Sequence, residues 1–149
     1  MKEKSRILEK INKECFGGSE NQLRLLLKHV SDESFKNINL ILNNTNPKLL
    51  EDDKINVLWM QHFVNIDEAK NLGSKSYVDK LDFIVFNSNW NLEKFVYQFK
   101  VPENKSIVIK NAIEKITFEE KPKDKINLVY HTTPWRGLAL LLNVFKNLN

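Results

Sequence analysis

Four near-continuous apolar runs of strand length constrain this chain most: "INLILN" (38–43), "INVLWMQ" (55–61), "DFIVFNS" (82–88) and "SIVIKN" (106–111). Runs without polar alternation belong to strands covered on both faces. Helical patterns lie before and between them. In "NWNLEKFVYQF", Leu92, Phe95, Val96 and Phe99 recur at helical spacing, and "VPENK" closes the segment with a proline turn. In "GGSENQLRLLLKHV", Leu23, Leu26, Leu27 and Val30 form a one-sided stripe behind a Gly-Gly break, and Ser19 with Gln22 has the spacing of a capping box. Residues 4–15 are also helix-compatible, with Ile7, Leu8 and Ile11 on one side. Strands alternating with helices predict an α/β fold, a Rossmann-like parallel sheet with flanking helices. Ligands of such sheets gather at the carboxyl ends of the strands.

The charged stretch "EKITFEEKPKDK" (114–125), with Pro122, reads as a linker, after which the pattern restarts. "INLVYHT" reads as a strand and "GLALLLNVFKNL" as a helix with the stripe Leu138, Leu141, Leu142 and Phe145. The expected organisation is a first domain over 1–118, a linker over 119–125, and the opening strand and helix of a second domain over 126–149. The apolar stripe of that last helix is expected to pack on the first domain or on another chain, which would make the protein a homo-oligomer.

With 149 residues, 42% hydrophobic and 28% charged, the chain can bury a real core. Its net charge of +4 is scattered through mixed sequence, which gives no reason to expect a nucleic-acid partner. The single cysteine, Cys15, permits no internal disulfide or multi-cysteine metal site and fits a reducing, cytoplasmic setting. No stretch approaches the roughly 18 apolar residues of a membrane span, so membrane association would be peripheral.

Four polar stretches fall where a parallel sheet collects ligands. Gly17-Gly18-Ser19 opens a helix, where absent side chains let an anion approach backbone N–H groups at the positive end of the helix dipole; a flexible turn is the other reading. His62 follows the second strand, and a neutral imidazole both donates and accepts hydrogen bonds, which suits a sugar hydroxyl or a capped strand end. Asn87-Ser88-Asn89 follows the third strand and either caps the next helix or faces the cleft. In "HTTPWRGL", Arg136 stands at a helix start, where the dipole repels a cation. An anion held there by Arg136, the N–H groups near Gly137 and the hydroxyls of Thr132 and Thr133 would reverse that repulsion; a solvated arginine is the alternative.

Taken together, "FGGSE" (16–20), "VLWMQH" (57–62), "DFIVFNSNW" (82–90), "VIKNAIE" (108–114) and "INLVYHTTPWRGLALLLNVF" (126–145) resemble GT-B glycosyltransferases, most of all the retaining family-four enzymes, and among those a branch familiar from viral and marine bacterial genomes. The resemblance implies two Rossmann-like domains, the first binding an acceptor glycan or lipid and the second a nucleotide-sugar donor. It implies that Gly17, Gly18 and Ser19 lie beside the donor phosphates, that His62 approaches the transferred sugar, and that Arg136 neutralises the donor diphosphate. Ser88, Thr132 and Thr133 join the substrate-binding set. Asn111 matches the asparagine of the family's "NG" junction, with Ala112 in place of the glycine. Retaining transfer of this kind needs no metal or cofactor. A charged helical pattern stands where the family has its first strand, and the downstream acidic motif is not in this sequence, so a truncated enzyme, inactive or very weakly active on its own, is expected. A non-catalytic nucleotide or sugar-phosphate binding module and an assembly subunit remain the alternatives.

Overall fold

The computed structural model describes residues 2–9, 17–125, 129–130 and 136–147. Cys15, Ile11, Thr132, Thr133 and the first residues of the strand expected at 126 lie outside that set. The chain divides into two compact units, Met1–Glu114 and Lys115–Asn149.

The first unit is an α/β, Rossmann-like arrangement. Helices α1 (Lys2–Glu9) and α2 (Gly18–His29) precede a sheet of β1 (Ile38–Leu42), β2 (Ile55–Met60), β3 (Phe83–Phe86) and β4 (Ser106–Val108). Between β2 and β3 lie a 3-10 segment, Asp67–Gly73, and the short α3 (Lys75–Val78); α4 (Asn89–Phe99) connects β3 to β4. All pairings are parallel and the spatial order is sequential, β1-β2-β3-β4.

Sequential order has a consequence for burial. Right-handed crossovers between successive parallel strands all fall on the same side of the sheet. That side is therefore closed: Ile41, Leu58, Met60, Ile84 and Phe86 are buried with Ala69, Leu72, Tyr77, Val78 and Phe95 from the connections. The opposite side depends on what precedes β1. There Ile7, Leu23, Leu27 and Phe35 cover Leu40, Trp59 and Val85. The cover does not extend across the sheet, and Phe83 and Ile107 remain 41% and 42% exposed. The expectation of strands buried on both faces is thus corrected in part for β3 and β4: their apolar runs are continuous, but among the described residues the second layer covers Val85 and leaves Phe83 and Ile107 exposed.

The register is fixed at the amino end of the sheet by a buried amide pair. Asn39 and Asn56 are cross-strand neighbours, and Asn39 Nδ2 donates to Asn56 Oδ1 at 2.8 Å and to the Leu49 carbonyl at 2.7 Å. Asn56 in turn donates to the carbonyls of Glu51 at 3.0 Å and Lys80 at 3.3 Å.

The expected capping box does not form. Gly17, not Ser19, is the N-cap of α2, and Ser19 is buried inside the first turn. Gln22 is used elsewhere: its Oε1 accepts from the Ala112 N–H at 3.0 Å and its Nε2 donates to the Ala112 carbonyl at 2.7 Å. Residues 109–114 are thereby strapped to α2, with Glu114 accepting from Lys28 at 2.6 Å and lying 3.1 Å from His29 Nε2.

In the second unit, residues 115–125 are exposed and adopt no helix or strand, and Val129 and Tyr130 are likewise irregular. Helix α5 (Leu138–Lys146) follows Gly137 and has no buried residue. Leu138 and Leu141 are half-buried, while Leu142 and Phe145 of the same stripe are exposed.

Candidate functional site

The polar residues beyond β1, β2 and β3 converge at the carboxyl end of the sheet. Asn43 follows β1 in the left-handed region, with φ of 51°, which asparagine tolerates better than most residues. In that conformation its buried Oδ1 accepts from the N–H groups of Gln61 at 2.6 Å and His62 at 3.2 Å. From the other side, Asn91 Nδ2 donates to the His62 carbonyl at 3.3 Å. The His62 backbone is therefore held on both sides, while its imidazole is exposed. Such a clamp fixes where the ring starts without consuming its hydrogen-bonding capacity.

Ser88 performs the capping role. Its Oγ accepts from the Asn91 N–H at 3.1 Å and donates to Asn87 Oδ1 at 3.4 Å. Asn87 links back to β2 by donating to the Gln61 carbonyl at 3.5 Å. Within this network Gln61 Nε2 is buried with no partner. An orphaned buried donor costs about 1–3 kcal/mol. Among the described residues only the Trp59 indole nitrogen and the Tyr77 hydroxyl share that condition. Burial pushes the Tyr77 hydroxyl up to about 12, so it stays protonated at neutral pH.

The structure brings His62 and Ser88 together through Asn87 and Asn91. Gly17 and Gly18 open α2, as the sequence suggests, but a carboxylate oxygen of Glu20 lies against the position a Gly17 side chain would take. The chain's own acid thus supplies the negative charge favoured at that helix N-terminus. Asn111 is exposed in the strap, one residue before the Ala112–Gln22 pair. In the second unit Arg136 is exposed and immediately precedes Gly137, the N-cap of α5, which has φ of 109° and no side-chain cap. No acidic residue sits in the first turn of α5. Among the described residues its first turn, unlike that of α2, holds no acid, and a cation precedes it.

A cavity of about 330 Å³ lies between α2 and the strap, lined by Leu25, Leu26, Trp59, Ile109 and Ile113 among others. Gln22, His29 and Glu114 at its margin are engaged with the strap, so its interior offers mainly apolar surface. Among the described residues no group of three or more His, Cys, Asp or Glu could hold a metal ion. Among the same residues no helix is long and apolar enough to cross a membrane.

Sequence reasoning singled out His62 and Ser88 but missed Asn43, Gln61 and Asn91, which position them. The available signal was "NN" at 43–44 directly after an apolar strand, since asparagine is a preferred left-handed residue where a strand turns. Compared with models of protein families, with curated proteins and with solved structures, the chain matches none.

Proposed function

We propose that the chain serves retaining sugar transfer from a nucleoside-diphosphate sugar, as the acceptor-side Rossmann-like unit and the start of the donor-side unit of a GT-B-type glycosyltransferase. The observation that carries this reading is the His62 clamp at the carboxyl end of the parallel sheet: a backbone fixed by Asn43 and Asn91 and an exposed imidazole. An imidazole suits hydroxyls, which both donate and accept. In the transfer, the bond between the anomeric carbon and the diphosphate oxygen breaks and negative charge gathers on the departing diphosphate. A preorganised cation lowers the barrier most when it meets that charge. Arg136, which precedes a helix N-terminus with no side-chain cap and no acidic residue in its first turn, has this role; His62 holds a hydroxyl of the transferred sugar.

The test is calorimetric titration of the chain with nucleoside diphosphates and nucleotide sugars, repeated with Arg136→Ala. Binding weakened by about 1.5–3 kcal/mol, the scale of a hydrogen bond to a charged group, is the expected result. Binding unaffected by the substitution, or no binding to any member of the panel, would overturn the reading.

A further inference from the structure

Asn43 carries a group that its clamping role leaves unused. Three bonds tie the residue to β2 and the positions just beyond it: its N–H donates to the Trp59 carbonyl at 3.0 Å, and its Oδ1 accepts from the N–H groups of Gln61 at 2.6 Å and His62 at 3.2 Å. Two backbone donors that meet one side-chain atom identify that atom as the carbonyl oxygen. The amide nitrogen is then the other branch, about 2.3 Å from Oδ1, which places it within about 5.5 Å of the His62 nitrogen. Among the described residues Asn43 Nδ2 has no hydrogen-bond partner. Unlike Gln61 Nε2, it is not sealed from solvent.

Neither local role of Asn43 requires that nitrogen. The left-handed backbone, with φ of 51°, is open to glycine at least as readily as to asparagine, and the clamp needs only an oxygen, which aspartate also carries. What remains is a free NH2 group on a side chain only 6% exposed, directly after β1 at the carboxyl end of a parallel sheet, where the ligands of such folds bind. His62 stands beside it with its backbone fixed and its imidazole exposed. Because Oδ1 is already committed to backbone, the free branch can only donate, and it selects an oxygen that accepts. The amide is held in place before any ligand arrives, so little freedom is lost when it engages one.

We propose that Asn43 is a further substrate-binding residue, whose Nδ2 donates to a hydroxyl oxygen of the transferred sugar that His62 holds. One carboxamide thus does two things: its oxygen fixes the His62 backbone and its nitrogen meets the substrate. Assigning the accepting oxygen to that sugar rests on the sugar-transfer reading; the free, oriented donor does not.

The test compares UDP- and GDP-linked hexoses with UDP and GDP themselves, by calorimetry on the parent chain, Asn43→Asp and Asn43→Gly. At least one nucleotide sugar is expected to bind the parent more tightly than its own diphosphate. Asn43→Asp keeps an oxygen for the Gln61 and His62 N–H groups and replaces the NH2 with an acceptor. Amide exchange at 61–62 should therefore stay at the parent's level, while the extra affinity conferred by the sugar falls about tenfold, the scale of one lost hydrogen bond. Each comparison is between ligands that share a diphosphate, so repulsion by the new carboxylate largely cancels. Asn43→Gly keeps the left-handed turn but should lose both the sugar preference and the protection of the 61–62 amides. In the unsubstituted chain, the Asn43 side-chain NH2 signals should shift saturably in NMR with the nucleotide sugar. The proposal is overturned if Asn43→Asp retains the parent's sugar preference, if the NH2 signals do not move, or if they move equally with the diphosphate alone. Diphosphate binding with no sugar preference in the parent would remove this assignment and leave the sugar-transfer reading. Binding of no ligand would remove both.

Discussion

The two ends of the sheet are built from the same chemistry and left in opposite states. At the amino end, Asn39 and Asn56 bond each other and the surrounding carbonyls, Asp82 accepts from the Asn56 N–H at 2.7 Å, and Lys105 donates to the carbonyls of Val78, Asp79 and Leu81. At the carboxyl end, Asn43, Asn87 and Asn91 also bond backbone, yet Gln61 Nε2 is orphaned and His62, Phe63 and Trp90 face outward. Amides at one end close the structure upon itself. Amides at the other hold the backbone still so that different side chains stay available, which is what a binding site requires.

The largest expected effect tests the closed end. Asn56→Ala strips several buried groups of their partners at once, each worth about 1–3 kcal/mol, and should lower stability by about 3 kcal/mol or more in urea denaturation. Diphosphate and nucleotide-sugar binding by the folded fraction should not change. A variant as stable as the parent would mean that the amide pair does not secure the β1–β2 register.

Asn91→Ala acts at the open end and should cost less, about 1–2 kcal/mol, because fewer buried groups lose partners. Its signature is local: amide hydrogen exchange at residues 61–63 should accelerate relative to 55–60. Uniform acceleration across the sheet would show that Asn91 supports the whole fold rather than the site.

His62→Ala removes only an exposed ring and should fall within about 0.5 kcal/mol of the parent. Gln61→Met, which deletes an orphaned donor, should be neutral or slightly stabilising. A clear loss of stability from either would contradict the division between the two ends.

The smallest effect concerns the strap. The Lys28 ammonium, then His29, hold the Glu114 carboxyl below its ordinary value. A depressed folded-state value means that the contact stabilises above the usual carboxylate range and loses its contribution as the pH falls through the lowered one. Proteolytic cutting near residue 114 should therefore quicken at acidic pH, and Glu114→Gln should remove that pH dependence. An unchanged cutting profile in Glu114→Gln would place the strap's hold in the Gln22–Ala112 pair alone.

Much of this fold was legible because strand-length apolar runs and helical stripes are local patterns. The positions of β1 to β4, α2 and α4 follow from them. The half-open second face was not legible, because Phe83 and Ile107 look like core residues in any window; their exposure comes from sequential strand order, a property of the whole topology. The same division applies to the site. His62 and Ser88 could be placed by their position after strands, and the use of Ser88 as a cap follows from its place before a helix. Asn43 and Asn91 act through backbone groups of distant segments, and no local pattern joins residue 43 to 62 or 62 to 91. The capping box failed for a related reason: Gln22 has a tertiary partner, Ala112, that local spacing does not reveal.

The most direct measurement is an NMR map of backbone amide shifts as a nucleotide sugar is added to the chain. The account predicts perturbations grouped at 61–63 and 87–91, with residues 54–56, 82 and 105 at the amino end undisturbed. Shifts concentrated at the amino end, or none at any concentration, would contradict it.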